Sequence, residues 1–555
     1  MSTEVSALQQ ARAVYQPRLP KALCQQTMKV ELGEPALPSS GHEELKKHFP
    51  KTYGQRVATL VQGDGAAPFK PLRVGVVLSG GPAPGGHNVI VGLFDALKAV
   101  HAGSALFGFL KGPGGVIKGK YKELTADVVA PYRNTGGFNM LMSGRDKIER
   151  PEHLEACEKN FAALDLDGLV VVGGDDSNTN AAVLAEHMLG KGLRTRVIGV
   201  PKTIDGDMKS REIEASFGFD TAAKTYSELI GNVCRDAQSS VKYWHFVRLM
   251  GRAASHITLE CALQTHPNVA LISEEIQAEK LTLREVVERL ADVIIRRAGA
   301  GRKYGIVLVP EGLPEFIPEI KALIDELNII LGANKGEGKK QIESLRDHGE
   351  RVQYLSNLLS DHSVRVYAQL PFDIQEVLLK TDSHGNVPLS QVETERLLID
   401  LISDKIGLLS HERRKEIAFS PLSHFLGYEG RCGAPSNFDA DYCYTLGFAA
   451  AHLIKAGLTG YTVHVRNLTR PHEEWIAGGT PITALMNIET RRGEPTPVVK
   501  KALVDLQGAP FKTFAAQREM WALEDAYVLP GPVQHFGPPE VCDAPTMTLK
   551  MERAT

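Results

Sequence analysis

The feature that most constrains this chain is an alternation of short apolar segments with amphipathic ones, which begins near Pro71. Arg73–Leu78 has the composition of a buried strand, and apolar residues follow it at helical spacing. The same unit returns at Gly168–Val172 and Arg196–Val200. Strands that alternate with helices in this way join in parallel, so the sequence predicts an α/β fold. Further strands are predicted at His245–Leu249, Tyr304–Val309 and Tyr461–Val465.

The length and texture of the chain indicate more than one packed unit. A chain of 555 residues exceeds a single ordinary core. Residues 1–70 are polar and mixed, and we expect them to form an extension packed on the main body. Residues 318–420 are charged and helical by periodicity, which predicts a helical insertion. The proline-containing segment 491–555 is expected to wrap the surface.

Composition excludes several classes of function. The formal net charge of -3 provides no broad basic field, which argues against a nucleic-acid partner. The apolar runs are of strand length, too short to cross a bilayer, and the start of the chain lacks the pattern of a signal peptide. Seven scattered cysteines are typical of a reducing compartment. We therefore expect a cytoplasmic protein without a membrane partner.

A glycine-rich segment, Ser79–Asn88, joins the first strand to the first amphipathic helix. Glycines at such a turn let backbone N–H groups approach an anion, and the helix N-terminus that follows favours negative charge. Alternatively, a tight strand-to-helix turn requires glycine only for its backbone angles. On this segment alone both interpretations stay open.

A second segment, Gly173–Asn180, also follows a buried strand and opens a helix. Its adjacent carboxylates, Asp175 and Asp176, suit Mg²⁺, which prefers oxygen ligands and carries substrate phosphates with it. Ser177, Asn178 and Thr179 are residue types that cap helices. The alternative is that both aspartates only stabilise the helix N-terminus, which one carboxylate would already do.

A third segment, Pro201–Asp207, follows the next strand. Lys202 offers a positive charge to phosphoryl oxygens, and Asp205 could accept a proton from an attacking hydroxyl. A solvated turn is the alternative, since Asp-Gly-Asp is a common turn sequence. All three loops follow predicted parallel strands, so they are expected at the carboxyl edge of one sheet, where ligands bind in such folds.

With these three loops, the sequence resembles the phosphofructokinase family, and in particular its long, pyrophosphate-dependent members. The resemblance runs from about residue 73 to residue 492. It implies two Rossmann-like parallel-sheet units facing a cleft, the phosphofructokinase fold. One unit, residues 71–217 completed by about 428–490, would bind the donor; the other, 218–427, would bind the sugar phosphate.

The resemblance also implies a reaction and its ligands. The implied reaction is the reversible, Mg²⁺-dependent transfer of a phosphoryl group from pyrophosphate to the 1-hydroxyl of fructose 6-phosphate. It is a glycolytic step that yields fructose 1,6-bisphosphate and phosphate. Asp175 is implied to hold the metal, Asp205 to deprotonate the hydroxyl, and Asp207 to support that chemistry. The implied donor ligands are Gly80, Gly81, Arg145, Asp176 and Lys202.

Further segments match the sugar-phosphate site of the family. Arg252 is implied to stabilise the transferring phosphoryl group, Glu311 to bind sugar hydroxyls, and Arg431 to bind the 6-phosphate. Lys242 and Tyr243 match positions that reach into a neighbouring subunit's site, which implies a homo-oligomer. The remaining implied sugar ligands are Thr203, Asp205, Met250, Gly251 and Tyr428.

Donor choice depends on two positions. ATP-using relatives carry glycine where this chain has Asp176 and Lys202. A carboxylate in place of glycine repels an α-phosphate, and a lysine in place of glycine offers a cation to a leaving phosphate. The chain departs from the long pyrophosphate enzymes at Pro82, where they commonly show glutamine. An ATP-dependent enzyme of the same fold and a regulatory subunit of a pyrophosphate-dependent hetero-oligomer are the alternatives.

Overall fold

The computed structural model describes residues 5–24, 27–63, 69–381, 387–388, 391–414, 416–491 and 494–554. The chain divides into two compact units, each built from segments that are distant in sequence. The first unit comprises Met1–Thr225, Tyr428–Ala502 and Pro532–Thr555, and the second comprises Tyr226–Gly427 and Leu503–Gly531. The last fifty residues are therefore shared between the two units.

Every strand predicted from the sequence is present, within two residues of its expected bounds. The strands of the described residues are β1 Met28–Pro35, β2 Arg56–Gln62, β3 Arg73–Leu78, β4 Ala105–Phe109, β5 Tyr121–Glu123, β6 Gly168–Gly173, β7 Arg196–Pro201, β8 Tyr243–Leu249, β9 Val269–Ala270, β10 Tyr304–Pro310, β11 Pro421–Leu426, β12 Tyr461–Arg466, β13 Ile476–Pro481, β14 Met486–Arg491 and β15 Glu494–Val499.

Helices alternate with these strands, as an α/β fold requires. The helices of the described residues are α1 Ala7–Ala13, α2 His42–His48, α3 Gly86–Val100, α4 Pro113–Ile117, α5 Ala126–Val129, α6 Pro151–Ala163, α7 Asp175–Gly190, α8 Phe219–Ser240, α9 His256–Thr265, α10 Ser273–Ala278, α11 Leu283–Gly299, α12 Pro318–Ser344, α13 His348–Ser356, α14 Asp361–Gln369, α15 Phe372–Leu378, α16 Thr394–Arg413, α17 Asn437–Lys455, α18 Ala509–Leu523, α19 Pro539–Cys542 and α20 Met547–Glu552. Among them no helix combines the length and apolar character needed to cross a membrane.

The first unit contains a nine-stranded mixed sheet in the order β1-β2-β13-β12-β7-β6-β3-β4-β5. Its centre, from β12 to β4, is parallel, and the flanking pairs are antiparallel. The extension of residues 1–70 is more than a packed segment, because β1 and β2 continue the sheet at one edge. Sequence analysis missed these two strands because neither contains a continuous buried run: β1, at the sheet edge, is largely exposed, and β2 alternates buried with partly exposed residues.

The second unit contains a parallel four-stranded sheet in the order β11-β8-β10-β9. The predicted helical insertion is confirmed as helices α12 to α16. Their apolar residues join those of β8 and β10 in one core. Both units thus have the α/β architecture expected from the sequence.

Close packing of α3 against α17 positions parts of the first unit. A Cβ atom added at Gly92 of α3 would overlap the carbonyl group of Tyr444, and one added at Gly447 of α17 would overlap that of Val89. Helix α3 begins at the glycine-rich loop, and α17 follows the segment of Arg431. The two glycines therefore bring these segments together, because larger side chains would force the helices apart.

We expect Gly92→Ala to destabilise the first unit by about 1–3 kcal/mol, because the added methyl group meets backbone atoms that cannot move aside. Gly190→Ala is the matched control, since a Cβ atom there meets nothing within 4 Å and alanine favours the helix. Thermal unfolding should show a lowered midpoint for Gly92→Ala and an unchanged or raised one for Gly190→Ala. Equal midpoints would contradict the packing argument.

Candidate functional site

The glycine-rich loop between β3 and α3 leaves room for two cationic side chains. Gly80 has a left-handed backbone (φ +80°), and a Cβ atom added there would lie 3.3 Å from Lys202 Nζ. A Cβ atom added at Gly81 would overlap the guanidinium group of Arg431. The Arg431 Nε–H also donates a hydrogen bond to the Pro82 carbonyl at 3.4 Å. The loop therefore needs glycine for the close approach of two cations as well as for its backbone angles.

The loop after β6 places two carboxylates in the first turn of α7. The helix begins at Asp175 with Gly174 as its N-cap, so the expectation that Ser177, Asn178 and Thr179 cap it is wrong. All three lie inside the helix. Asp175 and Asp176 occupy its first turn instead, where carboxylates are stabilised by the helix dipole. Asp176 is exposed and Asp175 is half-buried.

The loop after β7 buries a lysine among carboxylates. Lys202 is 7% exposed, and its backbone N–H donates to the Gly173 carbonyl at 3.1 Å. Burial lowers the pKa of Lys202 to about 8, aided by Arg431 and opposed by Asp205, Asp175 and Asp207. Lys202 thus interacts electrostatically with carboxylates of the second and third predicted loops, and its ammonium group lies beside Gly80 of the first.

Two aspartates of the same loop differ in their surroundings. Asp207 is 8% exposed, and burial, with help from Asp205 and Asp175, raises its pKa to about 7. Asp205 is half-buried, and its backbone N–H donates a hydrogen bond to Thr203 Oγ1 at 3.1 Å. Of the two, Asp205 is the more accessible to a substrate hydroxyl.

Two arginines predicted at phosphates reach the first unit's loops by different routes. The Gly80 N–H donates to the Gly144 carbonyl at 2.9 Å, so the backbone of Arg145 lies beside the glycine-rich loop, the predicted donor loop. The side chain of Arg145 is exposed. Arg431 lies against that same loop and over the Tyr428 ring, 5.4 Å from its centre. The structure thus places the predicted sugar 6-phosphate ligand beside the predicted donor loop.

In the second unit, the predicted sugar residues meet at the carboxyl ends of two neighbouring strands. The Gly251 N–H, after β8, donates to Glu311 Oε2 at 3.2 Å, after β10. A Cβ atom added at Gly312 would overlap the backbone carbonyl of Arg252. The side chain of Arg252 is exposed, whereas Glu311 is buried. Met250 precedes Gly251 and donates its N–H to the Leu426 carbonyl at 3.0 Å.

Lys242 and Tyr243 lie at the opposite end of β8 from these residues. A seven-residue strand separates its two ends by about 20 Å. Lys242 is exposed, and its Nζ lies 4.8 Å from the centre of the Tyr243 ring. The structure therefore does not bring these two residues to Arg252 and Glu311 of their own chain.

The carboxylates of the first unit fit a magnesium ion that is shared with a substrate. Asp175 and Asp205 both act on buried Asp207, and a divalent cation would relieve this concentration of negative charge. Within the described residues no three or more His, Cys, Asp or Glu side chains form a full protein cage. Mg²⁺ that carries phosphates needs only one or two carboxylates, since water and phosphate oxygens supply the other ligands.

One cation of this neighbourhood was missed by sequence analysis. Lys501, just after β15, lies with its Nζ 3.5 Å from Asp175 Oδ2. Its charge also lowers the pKa of Asp207. No local motif marks this lysine, because more than 300 residues separate it from Asp175. Only the distance between Lys501 and Asp175 in the folded structure identifies it.

The lowered pKa of Lys202 predicts a pH dependence for the binding of an anion. As pH rises through about 8, Lys202 in the empty site loses its proton and its charge, so kcat/KM for an anionic donor should fall. A bound anion favours the charged form, so kcat itself should fall only at higher pH. Steady-state pH profiles measure the fall of kcat/KM and the fall of kcat, with Lys202→Arg as the control that stays charged. If kcat/KM of Lys202→Arg fell near pH 8 as it does in wild type, the assignment to Lys202 would be contradicted.

Comparison with known proteins places these loops in context. The family model described as phosphofructokinase matches residues 73–366. A pyrophosphate–fructose 6-phosphate 1-phosphotransferase of Porphyromonas gingivalis is 51% identical over 549 residues, which are 99% of this chain and 99% of that protein. Subunit beta 2 of the enzyme of the same name from Arabidopsis thaliana is 53% identical over 522 residues, 93% of this chain and 89% of the relative.

A solved structure supports the fold alone. The crystal structure of a pyrophosphate-dependent phosphofructokinase from Nitrosospira multiformis matches 84% of this chain and 95% of its own, with a TM-score of 0.53 and 15% sequence identity. Together with the sequence matches, it confirms the family resemblance and the α/β fold expected from the sequence.

Proposed function

The chain belongs to the phosphofructokinase family, and we propose that it transfers a phosphoryl group reversibly from pyrophosphate to the 1-hydroxyl of fructose 6-phosphate. The products are fructose 1,6-bisphosphate and phosphate. The observation that carries the choice of donor is the presence of Asp176 in the first turn of α7 together with a buried Lys202 beside Gly80. Both of these side chains replace glycines of ATP-using relatives.

The donor loops supply charge where pyrophosphate needs it. Lys202 lies beside Gly80, so this buried cation faces the backbone that would bind the donor phosphates. Phosphoryl transfer depends mostly on positioning and electrostatic stabilisation, and a buried cation acts more strongly than an exposed one. Lys202 therefore stabilises the phosphate that leaves. Asp176 repels the α-phosphate of a nucleotide and so disfavours ATP.

Asp205 acts as the general base toward the 1-hydroxyl, and Asp207 supports it. The half-buried Asp205 can meet a hydroxyl, whereas Asp207 is buried. Asp175 would hold Mg²⁺, which supplies positive charge to the donor phosphates when bound. From the second unit, Arg252 is assigned to the transferring phosphoryl group and Glu311 to sugar hydroxyls. The remaining sugar ligands are assigned as Thr203, Met250, Gly251, Tyr428 and Arg431.

The test is a coupled assay of the purified chain with fructose 6-phosphate and Mg²⁺, supplied separately with pyrophosphate and with ATP. We expect turnover with pyrophosphate and a kcat/KM for ATP lower by about 100-fold or more. Appreciable ATP turnover would favour the ATP-dependent alternative. A chain inactive alone but activated by a related second chain would favour the regulatory-subunit alternative.

We further propose a cytoplasmic homo-oligomer with shared sites. The homo-oligomer is supported by the position of Lys242 and Tyr243, which lie away from Arg252 of their own chain. The cytoplasmic location is supported by the seven cysteines, all in the described residues, which are free thiols. Lys242→Met and Asp205→Asn chains, refolded together, should regain activity that neither has alone. In a dimer, random mixing would restore about a quarter of the sites. No recovery would contradict the sharing of sites.

A further inference from the structure

The segment Val499–Ala502 is fixed to the donor loops on both of its flanks. The Val499 N–H donates to Thr179 Oγ1 of helix α7 at 3.0 Å, and the Ala502 N–H donates to the Asp207 carbonyl at 2.7 Å. Between them, the Lys500 N–H donates to the Leu485 carbonyl at 2.8 Å. The backbone at Lys501 is thereby held in place, so its side chain can change position only by rotation about its own side-chain bonds.

The ammonium group of Lys501 faces the carboxylates of the donor site. Its Nζ lies 3.5 Å from Asp175 Oδ2, and the two side chains are 34% and 27% exposed. Asp207, whose backbone holds the next residue, feels the same positive charge. Its neighbour Lys500 is exposed. Of these consecutive lysines, the structure directs Lys501 toward the site.

Asp175 cannot serve two cations equally. The proposed function assigns Mg²⁺ to this carboxylate, and a divalent ion there would outcompete a single ammonium group. Lys501 would then be left beside the donor phosphates, the next strongest anions within the reach of its four-carbon stem. A change of partner therefore requires rotation of one partly exposed side chain and no movement of the backbone.

We propose that Lys501 is a donor-binding residue that pairs with Asp175 while the donor site is empty and with a pyrophosphate oxygen once a metal ion occupies Asp175. This inference rests on the proposed function. Its consequence is coupling between the two ligands. The metal ion alone must displace Lys501, whereas metal and pyrophosphate together give Lys501 a new partner. Each ligand therefore binds more tightly in the presence of the other.

The experiment compares Lys501→Met with wild type, and uses Lys500→Met as the matched control. Electron paramagnetic resonance measures Mn²⁺ binding to each protein without substrates. Titration calorimetry measures the binding of methylenediphosphonate, an analogue that cannot be cleaved, in the presence of the metal. We expect Lys501→Met to bind Mn²⁺ about fivefold more tightly and methylenediphosphonate about tenfold more weakly. Lys500→Met should match wild type in both.

These opposite signs distinguish the proposal from a structural role. If Lys501 only anchored the segment, both ligands would bind more weakly, and this result would overturn the inference. Unchanged binding of either ligand would overturn it too. Lys501→Gln repeats the comparison should Lys501→Met fail to fold, and Lys501→Arg should recover most of the methylenediphosphonate affinity because it restores the charge.

The steady-state rates separate this inference from the proposed function. We expect the KM for pyrophosphate to rise about tenfold in Lys501→Met, while the KM for fructose 6-phosphate stays within about twofold. If wild type uses pyrophosphate and the KM of Lys501→Met for pyrophosphate is unchanged, the role of Lys501 is refuted and the proposed function stands. Wild type that does not use pyrophosphate would refute the proposed function and the inference with it.

Discussion

Replacement of Asp205 by asparagine is expected to lower kcat with pyrophosphate by about 10³-fold, because the 1-hydroxyl of the sugar then has no general base. Asparagine keeps the shape of the side chain and its place in the loop, so the binding of both substrates should change little. Stopped-flow or steady-state turnover measures kcat, and calorimetry with fructose 6-phosphate measures binding. The two together separate the loss of a proton acceptor from the loss of a sugar ligand.

Asp207→Asn is the matched control for that variant. Asp207 is buried, so it is poorly placed to receive a proton from substrate directly, and its pKa is raised to about 7. We expect a smaller loss of kcat, of about tenfold, together with a changed pH profile near neutrality. If Asp207→Asn proved the more damaging of the two, the roles of the carboxylates would have to be exchanged. Full turnover in Asp205→Asn would remove the base assignment altogether.

Replacement of Lys202 by methionine is expected to lower kcat with pyrophosphate by about 10³-fold. The buried ammonium group lies against the donor loop, and its charge is opposed there by burial and supported by Asp205 and Asp175. Methionine keeps a similar length but provides no charge for the leaving phosphate. Turnover at saturating pyrophosphate is the measurement.

The stability of Lys202→Met shows whether that loss comes from misfolding. Because burial lowers the Lys202 pKa from 10.5 to about 8, the unfolded chain binds more protons than the folded one between these pH values. Wild-type stability therefore gains from this group as pH rises from about 8 to 10.5, and the charge is a cost below that range. Lys202→Met should be at least as stable as wild type at pH 7 and should lack this gain. A clearly destabilised variant would contradict the argument.

The double variant Asp176→Gly with Lys202→Gly tests the choice of donor at the same two positions. Removal of a carboxylate and a cation together is expected to shift the kcat/KM ratio toward ATP and away from pyrophosphate. A Cβ atom added at Gly80 would lie next to Lys202 Nζ, so removal of the lysine side chain also leaves space beside the glycine-rich loop. An unchanged ratio of donors would contradict the specificity assigned to this pair.

Much of the fold could be predicted from sequence because its central strands are buried on both faces. Such strands are continuous apolar runs, and β3, β6, β7 and β10 all follow that pattern. Strand β1, at the sheet edge, and its neighbour β2 were not predicted, because β1 is largely exposed and only two residues of β2 are buried. The start of α7 was also misplaced, since the first-turn aspartates resemble loop residues in sequence.

The sequence by itself determined the three loops at the sheet edge, the family of the chain and the residue types Asp175, Asp176 and Lys202. Local spacing was enough, because each loop directly follows a strand. The tertiary structure decided which of these groups are buried, which charges act on one another, and that Lys501 joins them from a distant part of the sequence. Burial and charge interactions depend on distance in space, and the order of residues along a chain does not contain that distance.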